Sequence, residues 1–227
     1  MPPNVRFEVD DFENDWVYAS KFDFIHGRYL AGAVKDWPRL MGQAFKYEKL
    51  KRRLTHGEDR LIWNRFTKPG GWVEFQDFDM QFYTANGEFT PDCPLAEWTR
   101  IVINGLKKAG VEPEPGPKLE GWVKEAGFTN IHHKLLPIPV GVWPKNRKLV
   151  SSPKPIFFFT LLFAKKFLSV QKEIGALDYH QFLEGLEGIS MHIFTASEGW
   201  KPEEVQLFLV GVRQDLKNPR LQAQHNL

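Results

Sequence analysis

Val5, Phe7 and Val9 alternate with Arg6 and Glu8, a period that predicts a strand ending at Asp10-Asp11. Phe22–Ile25 ("FDFI") predicts a second short strand, ending at His26-Gly27-Arg28. From Ala33 to Phe45 the apolar residues Val34, Trp37, Leu40, Met41 and Ala44 fall on one face of a helix. Lys68-Pro69-Gly70-Gly71 then predicts a tight turn into a short buried strand, Trp72-Val73-Glu74-Phe75; glycine permits the backbone and proline presets φ. Strand, strand, helix, strand is the order that builds a parallel sheet with covering helices.

Beyond Asp79 the pattern turns helical. Leu95–Ala109 carries Trp98, Ile101, Val102 and Leu106 at helical spacing, with Gly110 as its cap. The proline-rich "GVEPEPGP" predicts a stiff loop, Lys118–Ala126 a short helix closed by Gly127, and Ile131–Val140 another strand. Two helices end the pattern, over Asp178–Ser197 and Pro202–Lys217, the second with Pro202, Glu203 and Glu204 suited to a helix start. No internal repeat is present.

Composition narrows the class. With 42% hydrophobic and 26% charged residues, the 227-residue chain predicts one globular domain with room for a helical subdomain. A net charge of +2 gives no argument for the clustered basic face that nucleic acid needs. The single cysteine, Cys93, excludes an internal disulfide and points to a reducing compartment, cytoplasmic or nuclear, rather than secretion. The opening Met1-Pro2-Pro3-Asn4 has neither the basic start nor the apolar core of a signal peptide. The run "PIFFFTLLFA", Pro155–Ala164, falls short of the roughly 20 apolar residues of a membrane span and predicts a buried or interfacial helix.

Chemistry is expected where the three predicted strands end, because ligands of open parallel sheets bind beyond the carboxyl ends. Those ends read Asp10-Asp11-Phe12, His26-Gly27-Arg28 and Gln76-Asp77. A carboxylate accepting from an exocyclic amine, beside a backbone N–H donating to a ring nitrogen, reads an adenine edge. The plainer alternative is that Asp10 and Asp11 are turn and cap residues. His132 and His133 are adjacent on a predicted strand, face opposite ways and cannot chelate one ion, so no metal is expected. Cys93 sits in a proline-flanked loop and reads as incidental rather than nucleophilic.

The segments "VRFEVDDFENDW", "FDFIHGRYLAGAVKDWPRL", "KPGGWVEFQDFD" and "GPKLEGWVKEAGF" carry a resemblance. In order and approximate spacing they resemble the fungal LaeA-like methyltransferases, class I enzymes that use S-adenosylmethionine. The match covers most of residues 2–46, 65–149 and 172–218. It implies an α/β fold, a truncated Rossmann-like class I methyltransferase sheet with helices and a helical carboxyl-terminal cap. It further implies methyl transfer from S-adenosyl-L-methionine to a small-molecule or protein acceptor, in fungal secondary metabolism. Carried over by position, Asp10, Asp11, Phe12 and His26 would hold the cofactor. Arg28, Tyr29, Gln76 and Asp77 would face substrate. No residue is assigned to catalysis.

Two features depart from the family. Its glycine-rich turn after the first strand, and the acid after the second, have no counterpart; Met1-Pro2-Pro3 stands just before the family's third strand, so a partial domain over 1–227 is expected. Pro219–Leu227 is polar and unlike the family's last strand. Residues 47–64 and 150–171 interrupt the match; their ends can be encoded by splice-site sequences, so both are expected to be unspliced introns translated in frame. The alternative is ordinary insertions, a basic helix and an apolar helix. A reading from another class is a non-catalytic interaction module, binding a protein through an exposed sheet edge or the carboxyl-terminal helices, where Leu183, Leu186, Ile189 and Ile193 form an apolar stripe.

Overall fold

The computed structural model describes residues 2–45, 48–53, 59–64, 66–85, 87, 89–90, 92–143 and 160–227. In chain order its elements are β1 (Phe22–Arg28), α1 (Trp37–Phe45), β2 (Glu48–Arg53), β3 (Asp59–Asn64), β4 (Thr67–Gln76) and β5 (Tyr83–Thr84). Then come α2 (Pro94–Lys108), α3 (Gly116–Ala126), β6 (Pro137–Pro139), α4 (Thr160–Glu198), α5 (Pro202–Lys217) and β7 (Ala223–Asn226). The chain divides into two compact units, Met1–Gln76 with Pro117–His133 and Asp77–Gly116 with Lys134–Leu227.

In the first unit β1 and β4 pair in parallel, Ile25 opposite Val73 and His26 opposite Glu74. The connection carries α1, the crossover that parallel neighbours require. Asp36 starts α1 by accepting the Arg39 N–H at 2.9 Å, with Pro38 in the first turn. Trp37, Leu40, Met41 and Ala44 are buried, the face the periodicity predicts. Trp37 stacks on Trp122 of α3 at 5.7 Å and meets Phe75 edge-on. At the other end of α1, the buried Thr67 hydroxyl donates to the Ala44 carbonyl at 2.7 Å.

Three expectations for this unit change. Residues 5–9 form no strand, and Val5, Phe7 and Val9 are all exposed. Alternation marks a strand only where a ladder partner lies alongside, and among the described residues none does. The Lys68–Gly71 segment lies inside β4 as a bulge, since Phe22 pairs with Thr67 and Phe24 with Trp72. Gly70 has φ +79°, and a Cβ on Gly71 would stand 2.9 Å from the Asp23 carbonyl oxygen, so both positions call for glycine. The strand is also not buried on both faces: Trp72 is 59% exposed.

β2 and β3 form an antiparallel hairpin, Glu48 opposite Asn64, within the 47–64 segment, where a basic helix was the alternative to an intron. Residues 150–159 lie outside the described residues, while 160–171 open the long helix α4.

In the second unit α2, α4 and α5 pack around Leu95, Trp98, Leu186, Phe194, Val205 and Leu209, all fully buried. The Trp98 indole donates to Ser190 Oγ at 2.7 Å, and its ring meets Phe82 and Phe182 edge-on. α5 begins at Pro202, where the Glu204 carboxylate accepts the Lys201 N–H at 2.8 Å. In the carboxyl-terminal stripe Leu186 and Ile193 are core, Leu183 packs against it and Ile189 is 37% exposed.

A three-stranded sheet ordered β5-β7-β6 completes this unit, so the polar carboxyl terminus does form a strand. Ala223–Asn226 pairs on both sides, and ladder bonds outweigh its weak strand propensity. The strand expected over Ile131–Val140 shrinks to Pro137–Pro139, although Leu136 and Leu227 still exchange backbone hydrogen bonds at 2.8 and 2.9 Å. Among the described residues no helix is long and apolar enough to cross a membrane.

Candidate functional site

Strand periodicity puts Phe24, His26 and Arg28 of β1 on one face, opposite Trp72, Glu74 and Gln76 of β4 in register. The other face, with Phe75, packs toward α1. On the open face His26 Nδ1 lies 2.9 Å from Glu74 Oε2, and Gln76 Nε2 donates to Glu74 Oε1 at 3.3 Å. The Phe24 ring stacks beside His26 at 6.1 Å. Arg28 donates to the Tyr29 hydroxyl at 2.8 Å, its guanidinium 4.4 Å from the ring centroid. Tyr29 has φ +56°, a left-handed backbone that costs a non-glycine residue about 1–2 kcal/mol. Its N–H, bonded to the Gln76 carbonyl at 3.0 Å, holds it there and closes the end of the sheet.

The acidic segment is a turn. Asp11 N–H donates to Asp10 Oδ1 at 2.8 Å, and Glu13 N–H to Asp11 Oδ1 at 2.9 Å, the turn role named above as the plainer alternative. Phe12 is half-buried against the cluster of Val34, Trp37, Leu40 and Met41, and its carbonyl accepts the Trp16 indole at 2.9 Å. Glu13 Oε1 accepts the N–H groups of Lys35 at 2.8 Å and Asp36 at 3.1 Å, just ahead of α1. Arg39 pairs with Asp15 at 2.7 Å and also donates to the Glu13 carbonyl. The turn is therefore docked at the amino end of α1, the end that follows the carboxyl terminus of β1 through a short loop.

His26, Arg28, Tyr29 and Gln76 thus gather at one sheet end. Among the described residues no hydrogen bond or ion pair joins Asp10, Asp11 or Phe12 to His26. Asp77 is 5% exposed and lies in the second unit, where its Oδ1 accepts the Phe78 N–H at 2.9 Å. Glu74 is the functional candidate missing from the sequence-derived set. Its pairing with His26 follows from parallel register across 48 positions, which the sequence pattern does not fix.

The donor set suits a ligand carrying both charges and a ring. Glu74 offers a carboxylate to a cation and Arg28 a cation to an anion, while Phe24, Trp72 and Tyr29 expose aromatic surface. Asp10 and Asp11 add exposed carboxylates on the docked turn. In the second unit burial raises the pKa of Asp79 and Tyr83, and Cys93 is raised by burial and by its bond to Asp215 at 3.0 Å, the opposite of an activated thiol. Among the described residues no group of three or more His, Cys, Asp or Glu could hold a metal ion.

Comparison with known proteins shows that the chain is similar to curated fungal methyltransferases and to LaeA-type regulators of secondary metabolism. Methyltransferase pytC of Aspergillus terreus is 36% identical over 214 residues, 94% of this chain and 53% of that protein. Probable methyltransferase tdiE of Emericella nidulans is 26% identical over 211 residues, 93% of this chain and 53% of its own length. The secondary metabolism regulator laeA of Coprinopsis cinerea is 26% identical over 150 residues, 62% of this chain and 32% of that protein. The chain spans about half the length of these two methyltransferases. No family model matches it, and no solved structure does.

Proposed function

We propose that the carboxyl end of the β1–β4 sheet is part of an S-adenosylmethionine site, and that the protein to which this chain corresponds transfers a methyl group to a small-molecule or protein acceptor. The observation that carries the reading is the parallel β–α–β unit whose strand ends gather His26, Arg28, Tyr29, Glu74 and Gln76, with the acidic turn docked on the intervening helix. Ligands of parallel sheets bind at that end, and the methyltransferases pytC and tdiE match 93% or more of this chain.

When bound, the sulfonium cofactor supplies an electrophilic methyl carbon. The chain's own residues bind and orient. Asp10 and Asp11 would take the adenine amine and Phe12 N–H the ring nitrogen, with His26 close to the amino-acid end; Arg28, Tyr29 and Gln76 would face the acceptor. The truncated Rossmann-like sheet belongs to the same proposal. Calorimetric titration of the chain with S-adenosylmethionine tests it: binding that Asp11→Ala abolishes is the expected result, and absence of heat in the wild type would overturn it.

A second reading, an interaction module without catalysis, has one observation of its own. Phe24 is 53% and Trp72 59% exposed on the open sheet face, which offers a partner apolar surface. A stable complex with a protein partner and no cofactor binding would favour it.

A further inference from the structure

Resting on the methyl-transfer reading, we infer that Glu74 positions His26 as the proton acceptor for an amine or hydroxyl substrate. An ionised carboxylate only accepts hydrogen bonds, so the 2.9 Å contact between His26 Nδ1 and Glu74 Oε2 places the ring proton on Nδ1. The neutral ring then carries its lone pair on Nε2, and among the described residues no hydrogen bond occupies that atom.

Glu74 is itself steadied. Gln76 Nε2 donates to its second oxygen at 3.3 Å, and the parallel register sets His26 directly opposite it. Phe24 shields one side of the imidazole. The pair is half-exposed, with side-chain exposures of 39% for His26 and 49% for Glu74, so a substrate from solvent can reach Nε2.

The chemistry gives the pair its use. An amine or hydroxyl that forms a bond to a methyl carbon must lose one proton, and a base within hydrogen-bond reach removes that barrier. The proton passes from the acceptor heteroatom to Nε2, giving an imidazolium whose Nδ1–H charge is balanced by Glu74, and then to solvent. Glu74 acts through His26 and is a positioning residue; His26 is the catalytic base. The ordered imidazole thereby selects an acceptor bearing a dissociable N–H or O–H.

Nitrogen NMR of the His26 ring in the full chain, assigned with His26→Gln, reads the tautomer without any turnover. In wild type the Nδ1–H form should predominate by about fivefold, the upper range for an exposed charged pair. Glu74→Ala should lose that preference, and Glu74→Gln, which keeps an acceptor oxygen, should restore it. With S-adenosylhomocysteine present, 4-methylphenol should shift the Nε2 resonance in wild type and far less in Glu74→Ala. A predominant Nε2–H form in wild type, or no Nε2 response to the phenol, overturns the assignment. Calorimetry with S-adenosylhomocysteine on the same samples separates the failures: an intact tautomer without cofactor binding refutes the methyl-transfer reading, and the base role with it.

Discussion

Replacing Glu13 tests whether the acidic turn and α1 act as one piece. Glu13 Oε1 takes the Lys35 and Asp36 N–H groups at 2.8 and 3.1 Å, donors that no helical carbonyl can reach. Loss of a capping acceptor costs about 1 kcal/mol, and a carboxylate at a helix amino end contributes about 0.3–1 kcal/mol more. Both bonds are exposed, so Glu13→Ala should lower the local stability of α1 by about 1–2 kcal/mol. Native-state hydrogen exchange at the Leu40 and Met41 amides reads this directly, since opening faster by roughly 5- to 30-fold corresponds to that energy. Glu13→Gln keeps an acceptor and should lose about 0.5 kcal/mol, mostly the charge–dipole part. Exchange within about twofold of wild type in the alanine variant would refute the docking account, because a capping loss of 0.5 kcal/mol or more would exceed that change.

Ser190→Ala should destabilise the second unit by about 1–3 kcal/mol, because it leaves the buried Trp98 indole N–H without its acceptor; an unchanged urea midpoint would contradict this. Asp79 is buried and its folded-state pKa is raised by desolvation, so its contribution to stability is fully present below the unfolded value near 3.8 and is lost as pH rises through the folded value. Asp79→Asn should therefore gain in thermal midpoint over wild type as pH rises toward neutrality, with the advantage vanishing in acid; a constant difference across that range would refute the burial argument.

Helices were legible where caps and faces agreed. Gly110, and Pro202 with Glu203 and Glu204, mark ends that the structure places within a few residues, and the buried face of α1 is the predicted one. Strands were less legible because their pairing is non-local. Val5–Val9 alternates as a strand should and finds no partner, while Ala223–Asn226 lacks strand composition and is paired on both sides.

The candidate site divides in the same way. His26 and Arg28 were visible at the end of an apolar run, and the turn role of Asp11 was visible in its chemistry. Glu74 was not, because only the register of β1 against β4 brings it to His26. Asp77 was placed on the rim because it follows Gln76; it is buried and accepts the Phe78 N–H.

Amide NMR during titration with S-adenosylmethionine tests the central claim most directly. Perturbations concentrated on His26 to Tyr29, on Gln76 and on the Asp11–Glu13 turn are the result this account predicts. Perturbations centred elsewhere in the chain, with those amides unmoved, would contradict it.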